Sequence, residues 1–164
     1  MIDVDHLRRE VVKPVLTHLK LWSLSAEQLM LGIAATESRM GKWLRQLGGG
    51  PALGVWQVEP FTHADCWRTY LRYRPPLAEQ VLDFAPRLYI TPDPIDRVEA
   101  DALLDLRYCC AIARVKILRA PERLPAPGDW SAMADYHKRF YNSALGKTKP
   151  DDFVNACRAC GVIQ

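Results

Sequence analysis

A glutamate at the end of a very apolar stretch is the first candidate for chemistry in this sequence. Glu37 follows the run LMLGIAAT, in which Leu29 and Ile33 lie eight and four residues before it. In a helix these three positions share one face, so the Glu37 carboxyl ends a buried stripe. Desolvation there favours the neutral carboxyl that a general acid needs, above all one that protonates a glycosidic oxygen. The alternative is an ordinary solvated glutamate paired with Arg39 or Lys42.

A glycine-rich segment follows, and its far end carries side chains that suit carbohydrate binding. The glycines at 48–50 and at Gly54 exclude a regular helix and predict a turn or a short hairpin. Trp56 and Gln57 come next, and sugar clefts combine aromatic faces with planar amides. Packing in the core is an equally good interpretation of Trp56 taken alone.

Helices must position these residues, because helical periodicity runs through most of the chain. We predict a mainly α fold with little sheet, in a single domain spanning residues 1–164. Ser25 and Thr62 begin the capping boxes SAEQ and THAD, which predict two helix starts. The stretch PRLYITPDPI predicts extended chain or a short edge strand. The predicted helices cover roughly 4–19 with a kink or restart at Pro14, 26–40, 62–74, 77–84, 96–117, 131–141 and 150–160.

Length and charge narrow the class of protein. A chain of 164 residues that is 49% hydrophobic can bury one sizeable core, and its apolar runs fall well short of the ~20 residues that cross a bilayer. The first residues are acidic and lack the parts of a signal peptide, so we expect synthesis in the cytoplasm and no membrane insertion. The net charge of +3 is spread along the chain and does not require a nucleic-acid partner.

The cysteines favour a reduced compartment and no metal site. Five cysteines cannot all pair within one chain. Cys157 and Cys160 have metal-ligand spacing, but no second pair of ligands accompanies them. We therefore expect both to be small core residues on the last helix.

Three short segments together resemble a known family. Residues 37–42 read ESRMGK, residues 54–59 read GVWQVE and residues 140–146 read FYNSALG. In this order they resemble the motifs of goose-type lysozymes and soluble lytic transglycosylases: Glu-Ser at a helix end, a Gly-x-x-Gln turn and an Ala-Tyr-Asn-Ala-Gly segment. The resemblance implies a lysozyme-like fold with a small hairpin segment near the cleft. It also implies cleavage of the β-1,4 bond between N-acetylmuramic acid and N-acetylglucosamine in peptidoglycan.

The resemblance implies roles for individual residues as well. Glu37 protonates the leaving oxygen, and Gln57 binds an N-acetyl group or holds its loop in shape. Tyr141 presents a hydroxyl near the reacting centre, and Asn142 fixes substrate or backbone. The implied substrate-binding set is Ser38, Trp56, Gln57, Tyr141 and Asn142. The implied enzyme is a monomer that acts on glycan strands without metal or cofactor.

Departures from the family pattern leave the type of reaction open. Glu59 stands where goose-type enzymes have aspartate, and the glycine-rich segment lacks their second acid. Glu59 is therefore the candidate base of an inverting hydrolase. Without that base a lytic transglycosylase reaction is favoured, in which the sugar's own 6-hydroxyl attacks and leaves a 1,6-anhydro end. Phe140 replaces the family's alanine and loosens the third match.

Other interpretations compete with a wall-degrading enzyme. The expected delivery is that of a bacteriophage endolysin or a virion-associated enzyme. A catalytically silent lysozyme-like module, binding the wall or building a phage particle or secretion apparatus, is the non-enzyme alternative, and a Glu37 turned to solvent would favour it. Nucleic-acid binding is a third class, since Arg107, Arg114, Lys116 and Arg119 could line one helix face. Such a charge set is more often a solvated surface.

Overall fold

The protein is mainly α-helical in a computed structural model that describes residues 1–142 and 149–163. Most of the described helices pack around one buried core, which confirms the predicted fold class. The α-helices are α1 (Val4–Leu7), α2 (Lys13–His18), α3 (Leu24–Ser38), α4 (Pro60–Asp65), α5 (Pro75–Leu82), α6 (Leu106–Leu118), α7 (Trp130–Tyr136) and α8 (Pro150–Ala159). π-Helical turns span Arg8–Val12, Cys66–Tyr70 and His137–Tyr141, and 3-10 turns span Leu71–Tyr73, Arg87–Tyr89 and Ala100–Leu104.

The first helical segment carries its irregularity just ahead of Pro14. The π turn Arg8–Val12 joins α1 to α2 without a break, and the amide of Lys13 donates to the carbonyl of Arg8. Pro14 lacks an N–H and its ring crowds the preceding turn, so a widened turn accommodates it. The predicted kink or restart is therefore a π turn inside one continuous segment.

The central helix is α3, which packs against α8, α2 and α6. Residues 29–35 are all buried, as the apolar run predicts. The predicted capping box is wrong by two residues, because Ser23 accepts from the amide of Ala26 and Ser25 lies inside the helix. The helix ends at Ser38, where Arg39 begins three successive residues with left-handed backbone. Its end lies before the predicted one because this left-handed turn cannot continue a right-handed helix.

The glycine-rich segment between α3 and α4 folds back on itself. Leu53 forms isolated antiparallel bridges with both Arg45 and Val58, so the predicted hairpin is a pair of tight reversals with no regular strand in the described chain. Gly54 has a φ of +76°, and its backbone lies against Leu103 and Cys109. This close approach fixes the segment on the start of α6.

Two more helix starts differ from the sequence-based prediction. The helix predicted to begin at Thr62 begins at Pro60, with Glu59 in the capping position, since the fixed φ of proline suits the first helical turn. The helix predicted from about residue 96 begins only at Leu106, because the Asp105 carboxylate accepts from two amides of its first turn. The stretch predicted as extended chain is extended only in part, because Arg87–Tyr89 form a 3-10 turn and Ile90 makes one isolated antiparallel bridge, to Val98.

The cysteines are unpaired and differ in burial. All five cysteines are free; Cys157 lies in the core, whereas Cys160 is only partly buried. The prediction that both are core residues is therefore right for Cys157 alone. Of the helices that the structure describes, none combines the length and the apolar character needed to cross a membrane.

A buried histidine ties α4 to α6 and predicts a pH dependence of stability. His63 lies 2.7 Å from the hydroxyl of Tyr108, which also accepts from the indole N–H of Trp67 at 3.0 Å. Burial lowers the pKa of His63 from 6.5 to about 4. Between these pH values the unfolded chain binds a proton that the folded chain does not, so stability falls as the pH drops.

We expect the proton uptake linked to His63 to lower the free energy of unfolding by up to about 3 kcal/mol as the pH falls from 6.5 to 4. Urea denaturation at a series of pH values measures this loss. His63→Gln should lose less stability over that range than the wild type, and the control His6→Gln, at an exposed histidine, should follow the wild type. Parallel curves for the wild type and His63→Gln would contradict the assignment.

Candidate active site

A cavity of about 480 Å³ lies between the end of α3, the 42–58 segment and the π turn His137–Tyr141. Its volume is within the range of small-molecule sites in proteins. Of the seven predicted catalytic and substrate-binding residues, five lie on its wall: Glu37, Gln57, Glu59, Tyr141 and Asn142. Side chains far apart in the chain thus meet at one concave surface.

Glu37 is turned inward at the end of α3. Its side chain is 21% exposed, and Oε1 lies 2.8 Å from Nε2 of His137, which is itself 2% exposed. The main-chain oxygen of Glu37 accepts from the indole N–H of Trp43 at 3.1 Å. The stripe of Leu29 and Ile33 is fully buried, so the carboxyl emerges where the core meets the cavity.

Lys116, on α6, brings a positive charge to the same wall. Its Nζ donates to the main-chain oxygen of Tyr141 at 2.7 Å and lies 3.8 Å from the centre of the Tyr141 ring. Burial lowers the pKa of Lys116, and the charges of Glu37 and Glu59 act in the opposite direction. Within the described part of the chain no carboxylate forms an ion pair with Lys116, so its ammonium keeps donors for a ligand oxygen.

Glu59 and Gln57 reach the cavity from the turn before α4. Glu59 is exposed and occupies the capping position of that helix without bonding to its amides. Gln57 is buried, has a left-handed φ of 46° and donates its side-chain amide to the carbonyl of Gly54 at 2.7 Å. The resemblance implies two roles for Gln57, and this hydrogen bond fits the second, in which Gln57 holds its loop in shape.

Tyr141 lies on the cavity wall, but its hydroxyl bonds to the main chain and not to a ligand. The hydroxyl donates to the main-chain oxygen of Trp56 at 2.6 Å, and burial raises the pKa of Tyr141 well above its usual value. Its ring stacks on His137 with centroids 5.7 Å apart. The implied role of the hydroxyl near the reacting centre is therefore corrected, because its proton is committed to a carbonyl. Asn142 lies beside it on the wall, whereas residues 143–146 of the third motif lie outside the described residues.

Ser38 and Trp56 belong to the core and not to the cavity. Ser38 is fully buried and donates to the carbonyl of Val55 at 2.6 Å, which fastens the end of α3 to the next segment. Trp56 is also fully buried and donates to the carbonyl of Met30 at 2.9 Å. Neither side chain can contact a ligand in this arrangement, which corrects their implied substrate-binding roles. Trp43 is the indole on the cavity wall.

The sequence did not place His137 or Lys116 at this site, although it held a signal for each, and Lys116 entered only as part of a possible nucleic-acid surface. His137 follows Met133 and precedes Tyr141 by four residues, so it lies on the buried face of its helix. Lys116 shares a face with Cys109 and Ile112 in the same way. A charged or titratable residue on a buried helical stripe is the pattern that could have identified both.

The four basic residues at positions 107–119, on α6 and just after it, face different environments. Arg107 is exposed, but Arg114 is buried, with Nε and Nη1 unpaired among the described residues. Lys116 faces the cavity, and Arg119 pairs with Asp65. These side chains point to different environments, so they present no continuous charged stripe to solvent.

The donor set of the described chain does not resemble a metal centre. Within residues 1–142 and 149–163, no three histidine, cysteine or acidic side chains gather as metal ligands would. The cavity instead offers carboxyl, ammonium and amide groups, which suit proton transfer and hydrogen bonding. No protein-family model, curated protein or solved structure matches this chain.

Proposed function

We propose that this protein is a peptidoglycan glycosidase that cleaves the β-1,4 bond between N-acetylmuramic acid and N-acetylglucosamine. The observation that carries the proposal is the position of Glu37, half-buried at the end of a buried helix with its carboxyl on a ligand-sized cavity. Acid catalysis of glycosidic cleavage uses a carboxyl in such a setting. The lysozyme-like motifs point to the same reaction.

Glu37 acts as the acid in either form of the reaction. Its proton passes to the bridging oxygen as the bond from that oxygen to the sugar carbon breaks, which leaves Glu37 as a carboxylate. In hydrolysis a water then adds to the sugar carbon and gives its proton to Glu59. In the transglycosylase form the sugar's own 6-hydroxyl adds instead, and its proton returns to Glu37. Neither route needs a metal or an organic cofactor.

The remaining wall residues support binding of a polar sugar. Lys116 offers donors to hydroxyl, acetyl or carboxylate oxygens, Trp43 offers an aromatic edge or face, and Asn142 lies on the same wall. Glu37 is directed toward His137 and the cavity, which favours the enzyme over a silent wall-binding module. We propose a phage endolysin or virion-associated enzyme that reaches the wall as a monomer.

Mass spectrometry of the products made from purified peptidoglycan tests this function. Reducing-end fragments would establish a muramidase, and 1,6-anhydro ends would establish a lytic transglycosylase. The Glu37→Gln protein serves as the matched control and should make neither product. Absence of both products from the folded wild type would overturn the proposal in favour of a binding module.

Glu59→Gln is expected to lower the rate of hydrolytic product formation by about 10²-fold, because the amide cannot take a proton from water. Initial rates on purified peptidoglycan measure the effect. Glu99→Gln is the matched control, since Glu99 is also exposed and also precedes a helical turn, the 3-10 turn Ala100–Leu104. A rate for Glu59→Gln within threefold of wild type would remove Glu59 from the site.

A further inference from the structure

The imidazole of His137 is held in one orientation by aromatic rings. Its centroid lies 5.7 Å from that of Tyr141, at an interplanar angle of 19°, and 5.2 Å from that of Phe153, at 37°. The side chain is 2% exposed. A ring packed in this way cannot turn freely, so Nε2 stays directed at Glu37.

Phe153 reaches His137 because α3 contains a glycine beneath it. A Cβ at Gly32 would overlap the tip of the Phe153 ring and lie 2.9 Å from its Cε2 atom. Gly32 is five residues before Glu37 in the same helix. The helix that carries the carboxyl therefore also makes room for the ring that supports its partner.

The π turn brings Tyr141 onto the cavity wall and His137 into the core beside it. The amide of Asn142 donates to the carbonyl of His137 at 2.8 Å, which closes the wide turn. Inserted π turns occur frequently at functional sites because they re-aim side chains. Here the turn stacks the two rings and leaves Tyr141 beneath the ammonium of Lys116.

Between a neutral imidazole and a protonated carboxyl, the 2.8 Å contact can be made in two ways, with opposite consequences for acid catalysis. If the carboxyl O–H of Glu37 donates a hydrogen bond to Nε2 of His137, the acid proton points away from a ligand. If Nε2–H donates to Oε1, the acid proton resides on Oε2. Within the described chain no protein group hydrogen-bonds to Oε2, so that oxygen is free to serve the cavity.

We propose that His137 is the positioning residue of Glu37: its neutral imidazole donates Nε2–H to Oε1 and thereby places the acid proton on Oε2. This inference rests on the proposed glycosidase function. Among the described residues that contact the imidazole, Glu37 from α3 carries a charge and Phe153 from α8 is apolar, and Lys116 from α6 lies beyond the ring of Tyr141.

His137 itself neither gains nor loses a proton in the proposed step. The proton leaves Oε2 for the glycosidic oxygen as the sugar–oxygen bond breaks. The electron pair of the former O–H bond stays on the Glu37 carboxylate, whose Oε1 still accepts from Nε2–H. Such a fixed donor selects the productive orientation of the carboxyl before and after the transfer.

Two substitutions distinguish the contribution of the Nε2–H donor from that of the packed ring. His137→Phe keeps a packed ring without the donor, and we expect the turnover number to fall about 10²-fold while KM changes less than threefold. His137→Gln can place an amide N–H near Nε2, and we expect it to recover at least a tenth of the wild-type rate. Melting temperatures show whether each variant is folded.

The ¹⁵N NMR spectrum of the His137 ring in the wild type gives a readout that is independent of catalysis. A protonated Nε2 with an unprotonated Nδ1 supports the assignment, and the opposite tautomer or a doubly protonated ring overturns it. A folded His137→Phe with wild-type turnover, or a folded His137→Gln as slow as His137→Phe, would also overturn it. If the wild type cleaves no peptidoglycan, the proposed function fails, and the nitrogen spectrum alone decides the tautomer.

Discussion

Glu37→Gln is expected to lower the rate of peptidoglycan cleavage by about 10³-fold or more, since the amide has no proton to give to the leaving oxygen. Product formation from purified peptidoglycan, followed by mass spectrometry, measures this loss. The substitution keeps the size of the side chain and can keep a hydrogen bond to His137 at the position of Oε1. We therefore expect a melting temperature within a few degrees of wild type.

The stability measurement makes the Glu37 result decisive. A folded Glu37→Gln protein without activity assigns the acid, whereas a folded variant that retains a tenth of the wild-type rate refutes the assignment. Glu99→Gln again provides the matched control, because it makes the same chemical change at an exposed carboxylate outside the cavity. It should retain wild-type activity and stability.

The second large effect is expected at Gly54, where a substitution should damage both stability and the site. Gly54→Ala places a Cβ against the main-chain oxygen of Leu103 and 2.5 Å from the sulfur of Cys109, at a φ of +76°. Backbone strain and overpacking together should cost about 3 kcal/mol or more. For a chain of this size that lowers the melting temperature by roughly 6–12 °C. Activity should fall as well, because Gln57 donates to the carbonyl of Gly54.

Gly48→Ala separates the two causes of that loss. Gly48 has a similar φ of +83°, but a Cβ there would meet no atom within 4 Å. We expect this control to lose only about 1 kcal/mol, from backbone strain alone. Chemical denaturation of both variants measures the difference. Equal losses for the two variants would show that the close approach of Gly54 to α6 contributes nothing.

Local features account for the parts of the fold that the sequence could predict. The burial of α3 and the position of Glu37 at its end follow from helical periodicity, which depends on neighbours within two turns. Helix starts follow less directly from the sequence. Ser25 and Thr62 fit the capping pattern, but Ser23 caps the one helix and Pro60 begins the other. Several nearby residues can satisfy the first amides, and packing decides among them.

Packing decides which of the predicted cavity residues lie on the wall and which lie in the core. Glu59 and Gln57 lie on the wall because the turn after Gly54 carries both of them there. Trp56, directly before Gln57 in the same short motif, is a core residue, while Trp43 takes the place on the wall that an aromatic side chain is expected to fill. Residue type alone cannot separate these two tryptophans, because both have an indole that suits either environment.

The sequence by itself determined that this protein is mainly helical, that α3 is central and that a carboxyl ends its buried stripe. Only the tertiary structure decided what that carboxyl touches. His137 is one hundred residues away from Glu37, and Lys116 comes from another helix. Their meeting depends on how α3, α6, α8 and the π turn after α7 pack, which is set by the shapes of many side chains together and not by any local pattern.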